Sequence, residues 1–317
     1  MPLSIRALRP STRNKEAETV STKRLTNKDV VSAKGKKKSK FKETWRRMKK
    51  NKGSMIGLVI LIIFALAAIF ANFISPEELV TAQDAKIRLQ PPSSEHWFGT
   101  DAFGRDVFTR VLYGSRVSLT IGFVTALFSL LIGGVLGAMA AFYGGQVDNV
   151  IMRCMDMLTS IPSTLLALAI VAALGASMTN LLIAITISSI PGFVRLIRSV
   201  VLTVVEMDYV EAARACGTRD ARIIYKHILP NAIGTIIIQT TSSISGMILQ
   251  ASGMSYIGMG VQPPQPEWGY MLSESREFMR EYPYLMIFPG ICVILTALSF
   301  NLVGDGLRDA LDPRLKD

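Results

Sequence analysis

Asp101, Arg105 and Asp106 stand within six residues of one another in the stretch GTDAFGRDVFTRVLYGSRVSL. Carboxylates beside a guanidinium are raw material for acid–base chemistry. No nucleophile is evident beside them, however, and Asp101 and Arg105 are also spaced as an ion pair on one helix face. A structural role is the expectation. The one Gly-Lys pair, Gly35-Lys36, has Val30 where a phosphate loop needs its first glycine and Lys37 where it needs Ser or Thr. Cys154, Cys216 and Cys292 are scattered and odd in number, with no metal-ligand spacing. Nothing in these residues calls for catalysis, a metal or a cofactor. One further set has regular spacing: Gln239, Ser243, Gly246, Gln250 and Gly253 recur at intervals of four, three, four and three. Such a polar and small stripe either hydrogen-bonds and packs against another helix, the favoured reading, or lines a solute path with Gln239, Ser243 and Gln250.

The elements that must carry these residues follow from apolar run lengths, since a hydrocarbon core takes about 20 helical residues to cross. Half of the 317 residues are hydrophobic. Uncharged runs cover Ser54 to Pro76, Val117 to Val147, Met157 to Val194, Ile228 to Pro266 and Tyr284 to Gly304. The third divides at LGASMTN, giving six expected spans at 54–74, 117–142, 158–175, 179–197, 232–258 and 285–304. The expected fold is therefore all-α and polytopic. The first apolar run begins after 53 residues and is longer than a signal-peptide core, so no cleaved signal is expected. None of the six spans carries an Asp, Glu, Lys, Arg or His in its interior, which disfavours proton-driven transport.

The net charge of +11 is uneven: residues 1–53 hold eighteen Lys and Arg against four acids. Ahead of a membrane span, such a tail reads as a cytoplasmic segment drawn to anionic lipid rather than as a nucleic-acid arm. Residues 1–40 lack an apolar period and are expected to be disordered. With both termini inside, the inner segments (1–53, 143–156, 195–231, 305–317) carry 28 basic residues and the outer ones 7, in agreement with the positive-inside rule. Within the outer loop 75–116, Thr100 or Asp101 is expected to cap an amphipathic surface helix with Phe103, Val107, Phe108, Val111 and Leu112 on one face. Thr125, Ser129, Gly133 and Gly137 in the second span have the spacing of a close helix contact.

Between apolar runs lies EAARACGTRDARIIYKHILPN, residues 211–231. EAARAC favours helix, and Gly217 is a natural left-handed stop. Thr218 or Asp220 is expected to cap a second helix. Pro230 should disfavour helical geometry at Leu229 and start the next span. The expectation is a helix–turn–helix elbow on the cytoplasmic face, within the loop 198–231.

Glu211, Ala212, Ala213, Gly217, Leu229 and Pro230 resemble the EAA loop of ABC importer permeases. His227 stands where the general family often has isoleucine, and His-x-Leu-Pro-Asn looks like the peptide-transport branch. GTDAFGRDVFTRVLYGSRVSL at Gly99 to Leu119 and FKETWRRMKKNKGSMIGL at Phe41 to Leu58 are similar to the C-type subunit of dipeptide and oligopeptide permeases. The resemblance implies a type I importer permease domain over 54–317 that pairs with a homologous permease. Two cytoplasmic ATPases would dock on the paired elbows, and an extracytoplasmic binding protein would deliver the solute. Glu211 would orient the elbow or pair with a basic ATPase residue. It also implies a bacterial inner membrane and no enzymatic activity in this chain. Nickel or metallophore cargo is an alternative, as are an ATPase-independent channel or carrier and a membrane-anchored assembly subunit.

Overall fold

The computed structural model describes residues 40–311, and every regular element among them is helical. The expected disorder of 1–40 thus falls, but for Lys40, outside the described residues. A short helix, α1 (Lys40–Met48), precedes α2 (Lys52–Ile74). The Asn51 side chain caps α2 by accepting from the Ser54 amide at 3.1 Å, and its own amide donates to Asp309 at 2.9 Å. One turn, α3 (Glu78–Thr81), leads into an irregular loop and then α4 (Val107–Tyr143). At 37 residues, α4 is about 56 Å long and outreaches the bilayer core.

Next come α5 (Gly145–Thr159), α6 (Ser163–Leu174) and α7 (Met178–Val205). The elbow contributes α8 (Asp208–Ala215) and α9 (Asp220–Ile223). After them run α10 (Leu229–Tyr256), α11 (Trp268–Glu274) and α12 (Tyr284–Leu311). Five helices are long and apolar enough to cross a membrane, and six spans result if the bent pair α5–α6 counts as one.

That pair modifies the expected span 158–175. The chain turns by 79° between α5 and α6, where Pro162 precedes the new helix in extended geometry. Alone, the 12 residues of α6 reach only about 18 Å. The expected break at LGASMTN is present: Gly175 ends α6 at φ +92°, and Ser177 caps α7 by accepting from Asn180.

The expected surface helix starting at Thr100 or Asp101 does not form. Asp101 instead folds a turn by accepting from the Phe103 and Arg105 amides at 2.8 and 3.0 Å, with Gly104 at φ +75°. Asp106 is the actual cap of α4, accepting from Thr109 at 2.7 Å. Val107, Val111 and Leu112 are buried against neighbouring helices rather than laid on a surface.

Packing follows the small residues. A Cβ added at Gly133 would lie 2.5 Å from the Phe193 Cβ, and one at Gly137 would lie 2.6 Å from the Val194 carbonyl. The α4 and α7 backbones therefore meet at a distance that only glycine permits there. Thr125 and Ser129 are fully buried on the same stripe, and Ser129 donates to the Thr186 carbonyl at 3.3 Å. A second apolar cluster ties Ala141 and Phe142 of α4 and Ile197 and Val201 of α7 to Val210, Ile223 and Ile228 of the elbow.

Candidate functional site

Two features stand out: the elbow, and a cleft above it between α7 and α10. Val210, Ile223 and Ile228 anchor the elbow with no more than 1% exposure, while Glu211, Ala212, Arg214 and Cys216 face solvent. Ala213 is half-buried against the anchor cluster. Arg214 lies over the Phe142 ring at 4.5 Å, fastening α8 to the end of α4.

Gly217 ends α8 as its sequence suggests, at φ +71°. Its amide donates to Arg214 at 2.9 Å, and the Thr218 amide reaches back to Ala213 at 3.1 Å. These two bonds are the Schellman closure, which satisfies carbonyls that the helix end leaves open. A Cβ at Gly217 would meet nothing within 4 Å, so the glycine is required by its dihedral and not by crowding. The expected cap on α9 is absent: Arg219 holds the cap position and its side chain makes no capping bond.

The elbow's second half departs from expectation at Leu229. Instead of breaking, the chain widens into a π-helical stretch over Ile224–Ile228 and continues into α10. Leu229 stays helical at φ −56° and ψ −42°, and its amide donates to Ile224, five residues back. The wider turn makes room for Pro230, which lacks an N–H and whose ring would crowd a normal turn. Asn231 donates its side-chain amide to the His227 carbonyl at 2.7 Å and to the Tyr209 hydroxyl at 3.1 Å. Asp220 to Tyr256 thereby forms one continuous helical rod joining elbow to cleft.

The stripe on α10 lies along a cleft of about 460 Å³. Gln239, Ser243, Gly246 and Gln250 line one wall, and Ser188, Pro191, Gly192 and Arg195 of α7 line the other. Gly192, Gly246 and Gly253 have no atom within 4 Å of a Cβ position. Within this chain the stripe borders open space at these positions. Ser243 donates back to the Gln239 carbonyl at 2.8 Å, and the buried Gln250 Nε2 has no partner among the described residues. Arg195, at the edge of the expected 179–197 span, falls inside α7 and on this wall.

Sequence reasoning missed a clamp at the other end of the bundle. Glu274 accepts from Arg105 at 2.9 and 3.0 Å and from Arg110 at 2.9 Å. Arg105 also holds Asp101 at 2.6 Å, so that expected pair forms, but across a turn rather than along a helix. Arg110 is 1% exposed, and Glu267 is fully buried. Glu267 accepts from the Gly269 and Tyr270 amides at 2.9 and 2.8 Å and from the Ser118 hydroxyl at 3.1 Å. Burial pushes its carboxyl up, against the opposing pull of those donors. Trp268, beside it, donates to the Val111 carbonyl at 3.0 Å. The only local signal was a glutamate directly before the helix-starting Trp-Gly-Tyr; its side-chain partner Ser118 is 149 residues away in the chain.

Comparison with known proteins gives this arrangement a family. The binding-protein-dependent transport system inner membrane component family matches residues 133–317, and the N-terminal TM domain of oligopeptide transport permease C matches residues 39–92. The dipeptide transport system permease protein DppC of Alkalihalophilus pseudofirmus is 47% identical, over 88% of this chain and 91% of its own length. The glutathione transport system permease protein GsiD of Pectobacterium atrosepticum is 42% identical, over 87% of this chain and 92% of its own. In fold, an inward-facing structure of the MetNI methionine ABC transporter is similar at TM-score 0.54 and 17% identity, covering 65% of this chain and 98% of that one. The chain belongs to the family of binding-protein-dependent transport system inner membrane components.

Proposed function

We propose that this permease subunit of an ABC importer carries di- or oligopeptides and is driven through its elbow by separate ATPases. Pairing with a homologous permease, it would present the α7–α10 cleft as half of the path. An extracytoplasmic binding protein would load the path from the clamp end. Both termini and the elbow would face the cytoplasm of a bacterial cell, with the basic tail against anionic lipid. Relatives named for dipeptide and glutathione transport favour peptides over nickel.

The observation that carries this reading is the mechanical continuity from Asp220 to Tyr256. A solvent-facing helix bearing Glu211, Ala212 and Ala213 is anchored by buried apolar residues beneath it. It is joined by one turn to a rod whose far half lines the cleft through Gln239, Ser243 and Gln250. A partner that pushes α8 would move the rod, with the π-helical stretch around His227, Leu229 and Pro230 as the place where its geometry yields. ATP closure of the paired ATPases is the driving event in this scheme, and Glu211 would hold α8 against a basic group on one of them.

The test is purification of the tagged chain in mild detergent with mass spectrometry of what accompanies it. A second permease and one or two P-loop ATPases are the expected companions. A chain recovered alone that still moves solute in liposomes would sink the coupling scheme and favour a channel or carrier. Orientation is checked with an impermeant thiol reagent: the exposed elbow residue Cys216 should react only after the cells are opened.

A further inference from the structure

Resting on the reading of the cleft as a peptide path, we propose that Arg195 receives the carboxylate terminus of the cargo at the elbow-side end of that cleft. It would take the cargo carboxylate in exchange for its present partner, Asp156. The rest of the described lining is hydroxyl, amide and apolar, so Arg195 is the charged group a peptide would meet there. A carboxylate entering a membrane-depth passage loses hydration, and that loss is tolerable only where a cation or several donors replace water.

The neighbouring arginine shows what Arg195 is not. Three residues further along α7, Arg198 grips Asp148 through two nitrogens, Nε at 2.6 Å and Nη2 at 2.5 Å. That fork is saturated and ties α5 to α7. Arg195 uses Nη2 alone, donating to Asp156 Oδ1 at 2.9 Å and to Thr159 Oγ1 at 2.6 Å. Its Nε and Nη1 carry no hydrogen bond among the described residues. Arg195 and Asp156 are 42% and 55% exposed, so their pairing is screened and weak enough to be exchanged. A planar guanidinium with an unused edge suits a carboxylate in two-pronged geometry.

The cleft's dimensions fit the same cargo. Gln239 and Gln250 are eleven residues apart on one helix, about 16 Å along its axis. An extended peptide advances roughly 3.3 Å per residue, so about five residues lie within that length. With its carboxylate at Arg195, such a peptide would run beside Gln239, Ser243 and Gln250, whose amides and hydroxyl can meet its backbone without reading its side chains.

The experiment uses the complete transporter, with its binding protein, in proteoliposomes. Uptake of alanyl-alanine is compared with uptake of its C-terminal amide, each divided by that peptide's occupancy on the binding protein. Arg195→Gln should slow the free acid by at least about tenfold, the loss of one charge-assisted pairing, and leave the amide within about twofold. Arg195→Lys should recover part of the acid's rate, and Asp156→Asn should spare it. Equal slowing of acid and amide by Arg195→Gln would overturn the assignment and leave Arg195 a strut like Arg198. So would an unchanged rate for the acid. If the unsubstituted complex hydrolyses ATP but moves neither peptide, the peptide reading itself fails and takes this assignment with it.

Discussion

The two ends of this helical bundle handle charge in opposite ways. At the clamp end, Arg105, Arg110 and Glu267 are buried and Asp101 and Glu274 half-buried; Glu274 ties in Arg105 and Arg110 from far along the chain, Ser118 does the same for Glu267, and Asp101 is held by nearby Arg105. At the elbow end, Glu211, Arg219 and Asp220 stand in solvent, above an apolar anchor. A buried ion network is costly to disturb, because removing one member leaves others uncompensated. Exposed charges on a short helix cost almost nothing to leave unsatisfied by protein. One end is therefore rigid within itself, and the other keeps its charged surface available for contact.

The sharpest way to break this comparison is Glu274→Ala. It would remove the carboxylate that Arg105 and Arg110 share and leave them Asp101, at 2.6 Å from Arg105 but 3.7 Å from the buried Arg110, at a cost of about 3 kcal/mol. That is a large share of ordinary domain stability, so the variant should fail to accumulate in membranes. Glu211→Ala at the elbow should accumulate normally, and quantitative blotting of both checks the contrast. Equal accumulation would mean the clamp is dispensable.

A smaller effect is expected at the turn. Gly217→Val places a β-branched residue at φ +71° with open space around it, costing about 1–2 kcal/mol in backbone strain. The variant should insert and assemble, while its ATP hydrolysis no longer drives uptake. Normal uptake at normal hydrolysis would count against the elbow as the coupling element.

The smallest effect is a slope. Because burial raises the Glu267 carboxyl, the folded chain holds that proton more tightly than the unfolded chain. Its contribution to stability is complete below the ordinary carboxylate range and fades as pH rises through the higher folded value. Melting temperatures in detergent should therefore fall more with rising pH for the unsubstituted chain than for Glu267→Gln. Parallel slopes would show that folding does not raise the Glu267 carboxyl.

Much of the elbow was legible in advance because its determinants are local. The propensity of EAARAC and the φ demanded at Gly217 both act within a few residues. Leu229 was misjudged for an equally physical reason: a proline's clash can be relieved by breaking the helix or by widening it, and only the packing of Ile223 and Ile228 selects the second. Asp101 was misjudged because an aspartate can cap a helix or fold a turn, and Gly104 in the left-handed region settles the turn.

The apolar runs, the charge asymmetry and the elbow motif thus came from the sequence alone, since bilayer thickness and backbone dihedrals constrain neighbouring residues directly. Tertiary structure alone decided that Glu274 joins Arg105 and Arg110, that α6 is bent away from α5, and that Arg195 and the Gln239–Gln250 stripe share one cleft. Those arrangements depend on which helix faces meet, and helix periodicity shows that a face exists without naming its partner.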